Sequence, residues 1–147
     1  MLVRNDVGRV VGTWRSVVVG LLGLWTLPAN AEPGRIHRII DGDTVEVVLN
    51  GRVAQIRLNH IDTPETGHRA LCDRERQLGE QATAAARELL PIGSMVELTL
   101  WPEKDRHSRL LANITIGTRD YGGELRRRGL ALPYRGRGPK PDWCAGG

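Results

Sequence analysis

With 147 residues and a formal net charge of +4, the chain has room for one domain built around one core. The charge is mildly basic, which suits a polyanionic partner without requiring one. Its two cysteines, Cys72 and Cys144, lack the paired C-x-x-C spacing of a thiolate metal site, and there is no internal repeat or low-complexity tract.

The first stretch reads as a leader. Arg4, Arg9 and Arg15 give a basic start, Val17 to Leu27 is almost wholly apolar, and Ala29-Asn30-Ala31 supplies the small residues of a signal-peptidase site. The expected division is a signal peptide over 1–31 and a mature domain over 32–147. The alternative is an N-terminal membrane anchor, for which the apolar run is short against the roughly 20 residues of a span. Cleavage removes three arginines and Asp6. The counts fall from 21 basic and 17 acidic residues to 18 and 16, so the charge falls from +4 to +2. An exported chain meets an oxidising compartment, where Cys72 and Cys144 are expected to pair.

Residues 35–40 and 43–49 are short and β-branched, and predict two strands. Asn50-Gly51 is a two-residue hairpin signal, and 52–61 is the return strand. There Ile56 and Leu58 point one way and Arg57 the other. Pro64 ends the strand pattern, and the charged stretch 62–78 reads as a loop. Gly79 to Leu90 is alanine-rich and predicts a helix stopped by Pro91 and Gly93. Met95 to Trp101 alternates as a strand, Pro102 to Ser108 reads as a charged loop, and Arg109 to Ile116 as another strand. A short helix over Glu124 to Arg128 ends at Gly129, and the tail from about 135 is irregular. Five strands with a helix between the third and fourth predict a mainly β, α+β domain. The expected form is a five-stranded OB-fold Greek-key barrel with two to three helices.

Three clusters can carry chemistry: Asp41-Gly42-Asp43-Thr44, then Arg57 ahead of Asp62-Thr63-Pro64-Glu65-Thr66, then Asp105 to Arg109. Singly, each reads as a turn, a cap or a surface ion pair. Together they supply what phosphodiester hydrolysis needs: hard oxygen ligands for a cation, planar arginine forks for phosphate, and a carboxylate to activate water. His37, His60, His68 and His107 lack metal-ligand spacing and read as surface or structural. Arg126-Arg127-Arg128 reads as a solvated helix face, and the Asn113-Ile114-Thr115 sequon falls within a predicted strand.

With these motifs in hand, the chain resembles the staphylococcal nuclease (thermonuclease) family from about Arg35 to Tyr134. The resemblance is carried by Ile40-Asp41-Gly42-Asp43-Thr44, Arg57-Leu58, Ile61 to Thr66, Asp105 with Arg109 to Ala112, and Arg128 to Ala131. It implies that Asp43, Asp62 and the Thr63 carbonyl hold Ca2+, with Asp41 close by. It implies that Arg57 and Arg109 grip the scissile phosphate and that Glu65 is the general base or orients the attacking water. The implied reaction cuts DNA or RNA and leaves 3′-phosphate ends. The expected partner is a nucleic acid substrate, met by a monomer with no stable membrane association once the leader is gone. His107 stands where family members often carry a tyrosine. A catalytically silent OB module that only binds nucleic acid is the rival reading; Trp101, Trp143, Tyr121 and Tyr134 are its few mature aromatics. A domain recognising protein partners has no feature in its favour.

Overall fold

The computed structural model describes residues 31–145; apart from Ala31, the expected leader lies outside them. The elements are β1 (Ala31–Ile39), β2 (Thr44–Leu49), β3 (Arg52–Leu58), β4 (Ile61–Asp62), α1 (Asp73–Leu89), β5 (Met95–Lys104), β6 (Leu110–Ile116), β7 (Arg119–Asp120), α2 (Tyr121–Arg127) and β8 (Leu132–Pro133). The order β3-β2-β1-β5-β6 is antiparallel throughout, and a parallel pairing of β3 with β6 closes it into a five-stranded barrel. β7 adds at the edge, and β4 pairs with β8 as a separate two-stranded ribbon. The expected fold class therefore holds.

Alternation builds the barrel core. Ile36, Val45, Val47, Ile56, Val96, Leu98 and Ile114 are buried, and α1 adds Ala82, Ala85, Ala86 and Leu89 from one face. Asn50 and Gly51 both take positive φ, 50° and 76°, and Leu49 pairs with Arg52 across them. That is the backbone a two-residue primed turn requires. α2 stops where expected, with Gly129 at φ 70°.

Several boundaries differ from the sequence reading; β1 begins at Ala31 rather than Arg35, and α2 at Tyr121 rather than Glu124. The loop expected over 62–78 is shorter, because α1 begins at Asp73 rather than Gly79. Its N-cap is Cys72, whose sulfur accepts from the Glu75 amide, a role usually given to Ser, Thr, Asp or Asn. The return strand expected over 52–61 breaks near His60, which has φ 60°, and its last part becomes β4. β5 runs on to Lys104, so the charged loop expected from Pro102 shrinks. Pro102 lacks an amide donor and falls in the irregular stretch between the pairs Leu100–Ala112 and Lys104–Leu110.

The tail after β8 has no helix or strand, as expected, yet it packs back on the domain. Trp143 is buried, and Cys144 forms a disulfide with Cys72, the Cα atoms 6.0 Å apart.

Candidate functional site

One mouth of the barrel carries all three sequence clusters. Asp41-Gly42-Asp43 is the tight turn between β1 and β2, closed by the Ile40 and Asp41 amides donating to the Thr44 carbonyl. Both helices hold this turn. A Cβ on Gly42 would lie 2.7 Å from the Cβ of Ala82, so only glycine lets α1 approach this closely. The buried Tyr121 hydroxyl, on α2, donates to the Gly42 carbonyl at 2.7 Å.

Asp43 is then tied to the second cluster. Its Oδ2 accepts from the amide and the hydroxyl of Thr63, each at 2.9 Å. Asp62 lies beside them at the end of β4, its side chain only 2% exposed. Arg57, one residue from the end of β3, spans both acids. Its Nη2 is 3.1 Å from Asp43 Oδ2 and 3.3 Å from Asp62 Oδ1, while Nη1 donates to the Leu58 carbonyl at 2.7 Å. Glu65 follows on the loop, with Arg69 Nε 3.2 Å from its Oε2. Arg69 also reaches Asp41 Oδ2 at 3.3 Å.

Arg109 stands just ahead of β6, the strand that pairs in parallel with β3. Asp105 accepts from its amide and its guanidinium, and Nη1 donates to the Thr44 hydroxyl at 3.2 Å. Thr44 is the register partner of Arg57 on β3. Arg57, Arg109, Asp41, Asp43 and Glu65 all line one cleft of about 700 Å³; Asp62 and Thr63 are buried.

Four further residues, none given a part in the catalytic site from sequence, complete it. Glu75, buried in the first turn of α1, accepts from the amides of Glu65 and Leu71 at 3.3 and 2.7 Å and so holds the loop that carries Glu65. It stands three residues after its cap, the spacing of a capping box, hidden because the cap is a cysteine. Arg69 bridges acids, as described. Lys140 and Trp143 arrive from the tail. Lys140 Nζ is 3.1 Å from Asp62 Oδ1 and 2.8 Å from Glu65 Oε1, and Trp143 Nε1 is 3.4 Å from Asp62 Oδ2. Their only sequence signal was Cys144, since a bridge to Cys72 must bring the tail back.

The carboxylates are crowded. Burial, then the neighbouring Asp43, pushes Asp41 up to about 6. Burial also raises Asp62, against the pull of Lys140 and Arg57. Asp105, despite some burial, is held below the usual range by hydrogen bonds from Arg109. Among the described residues no three His, Cys, Asp or Glu side chains form a ready metal-holding group. Arg57 and Lys140 are each placed between two of the acids. The donor chemistry nevertheless fits a hard cation: carboxylates and backbone oxygens, with no imidazole or thiolate among them.

Gly79 sets how closely the loop can sit. A Cβ there would lie 2.3 Å from the Glu65 carbonyl oxygen, a backbone atom that cannot swing aside. Gly79→Ala gains about 1 kcal/mol of helix propensity but forces the Pro64-Glu65 backbone away. The expected net result is a loss of about 1–3 kcal/mol, measured by urea unfolding. A stabilised variant would show that this contact is dispensable.

Residues 55–142 match the family model described as "Staphylococcal nuclease homologue", a span that includes Arg57, Asp62 to Glu65, Arg109 and Lys140. The chain is 34% identical over 97 residues to the SPbeta prophage-derived endonuclease YokF of Bacillus subtilis, covering 65% of this chain and 32% of that protein. It is 33% identical over 97 residues to endonuclease YncB of the same organism, covering 65% and 45%. It is 29% identical over 138 residues to a micrococcal nuclease of Shigella flexneri, covering 87% and 74%. The chain thus spans less than half the length of the two Bacillus relatives.

Proposed function

The chain belongs to the staphylococcal nuclease family, and from that premise we propose that it is an exported, calcium-dependent endonuclease that hydrolyses phosphodiester bonds of DNA or RNA and leaves 3′-phosphate ends. The observation that carries this reading is the cleft itself. Arg57 and Arg109 both line it, beside a network of carboxylates with Glu65 at the rim.

Asp43, Asp62 and the Thr63 carbonyl would hold calcium, with Asp41 adjacent. Bound there, the ion supplies positive charge to offset what develops on the phosphate. The remaining work falls to this chain's side chains. Arg57 and Arg109 present guanidinium forks to phosphate oxygens, and their separate positions, one in β3 and one just ahead of β6, fix the phosphate's orientation. Glu65, 26% exposed, is open to water and can take its proton. Tyr121 and Glu75 position the metal-side turn and the Glu65 loop; neither faces the substrate.

The purified mature domain, incubated with single- and double-stranded DNA and RNA, is expected to cut with calcium, poorly with magnesium, and not in excess chelator. Magnesium demands smaller, near-octahedral geometry and gives up water reluctantly. Full-rate cutting in chelator would overturn the metal assignment. Binding without cutting under every condition would favour the silent OB module.

Export rests on the leader pattern and on the Cys72–Cys144 bridge, a feature of oxidising compartments. Among the described residues no helix is long and apolar enough to cross a membrane. Sequencing of exported protein is expected to start at Glu32, within β1; an intact Met1 chain in the membrane fraction would favour the anchor. The proposed enzyme acts as a monomer.

A further inference from the structure

The tail between β8 and Cys144 is a strap held at both ends. β8 pairs with β4 at one end, and the disulfide fixes the other to the cap of α1. Between them the strap crosses the acid cluster and sets Lys140 on Asp62 and Glu65, and Trp143 on Asp62. Asp62 is almost fully buried while Lys140 is 40% exposed. The ammonium is therefore the mobile partner, able to leave without disturbing the acids. Arg57, at 10% exposure and bonded to a backbone carbonyl, lacks that freedom.

We propose that Lys140 is an exchangeable counter-cation: it neutralises Asp62 and Glu65 until a divalent cation displaces it, and then pairs with a substrate phosphate at the cleft rim. The proposal rests on the reading of Asp62 as a metal ligand. Several observations on the chain support the exchange. Lys140 lines the same cleft as Arg57 and Arg109. Arg135 and Arg137 of the same strap also line it, so a displaced ammonium stays in a basic rim suited to a polyanion. The closed bridge keeps the strap over the site, which gives Lys140 a high effective concentration against free cations. A dithiol reductant opens the bridge by supplying two electrons and two protons. Both cysteines become thiols and the donor closes to its own disulfide.

The exchange makes opposite demands on two measurements. Lys140→Ala removes a competitor for the metal and a ligand for the phosphate. Titration calorimetry with calcium alone should show the dissociation constant falling about tenfold, the scale of two lost, partly exposed ion pairs. Steady-state cleavage of a single-stranded DNA oligonucleotide at saturating calcium should show KM rising about tenfold, with the loss falling more in KM than in kcat. Lys140→Arg should restore KM, and Lys140→Gln should repeat the alanine result if the alanine variant folds poorly. Reduction of the wild type should tighten calcium in the same direction and add little in Lys140→Ala. A purely structural lysine would weaken both measurements together, which overturns the proposal. So does tighter calcium with an unmoved KM, or a calcium constant that Lys140→Ala leaves unchanged while the wild type binds the ion and cuts. A wild type that neither binds calcium nor cuts overturns the nuclease reading underneath, and the exchange with it.

Discussion

Replacing Glu65 by glutamine is expected to slow hydrolysis by about 10²–10⁴ while leaving KM nearly unmoved. The substitution keeps shape and removes only the ability to take a proton. The loop stays in place because its anchors are elsewhere. The Glu65 amide donates to Glu75, and the Glu65 carbonyl rests against Gly79. The charge partners that lose a carboxylate, Arg69 and Lys140, are each substantially exposed, so water takes over their solvation and the cost to the fold is small. Single-turnover cleavage at saturating calcium isolates the chemical step, and circular dichroism checks the fold. A rate within a few-fold of wild type would remove Glu65 from proton transfer. Near wild-type rates for both Arg57→Lys and Arg109→Lys as well would leave the binding module as the better reading.

The barrel was legible because its signals are local. Val45, Val47, Ile56 and Leu98 alternate, Asn50-Gly51 has one easy conformation, and Gly129 closes α2. The start of α1 was not legible, because its cap is a cysteine and its first turns are charged rather than amphipathic. Gly79 looked like a helix boundary; its reason is a backbone contact with Glu65, and no local pattern encodes that. The same division runs through the site. Asp43, Asp62, Glu65, Arg57 and Arg109 sit in recognisable motifs. What joins them comes from far along the chain: Tyr121 to Gly42, Trp143 and Lys140 to Asp62. Such contacts are products of the closed fold and leave no periodicity behind.

Arg57 shows how far the structure changes the expectation for a single residue. From sequence it is a phosphate clamp, acting on rate. In the fold it is also the buried cation between Asp43 and Asp62. Arg57→Ala removes the partner of two buried carboxylates, a change that costs about 3–5 kcal/mol, against a total stability of about 5–15 kcal/mol for a domain. In chelator the variant is expected to melt far below wild type. Calcium should narrow that gap, since a ligand at about 100 times its dissociation constant contributes about 2.7 kcal/mol and brings positive charge to the same acids. With the fold restored, the remaining rate deficit measures the catalytic part, expected at about 10²–10³ for a lost transition-state donor. Arg57→Lys should fall between, because one ammonium cannot reach Asp43, Asp62 and the Leu58 carbonyl together. Arg109 supplies the contrast. Its guanidinium is 22% exposed and paired with Asp105, so Arg109→Lys should change stability by less than about 1 kcal/mol and divide its effect between KM and kcat. Thermal melts of the Arg57 variants with calcium and with chelator, followed by kinetics at saturating calcium, separate the two roles. An Arg57→Ala domain that melts like wild type in chelator would show that the buried acids do not need it. One that regains its fold with calcium and cuts at full rate would show that it is not a phosphate clamp.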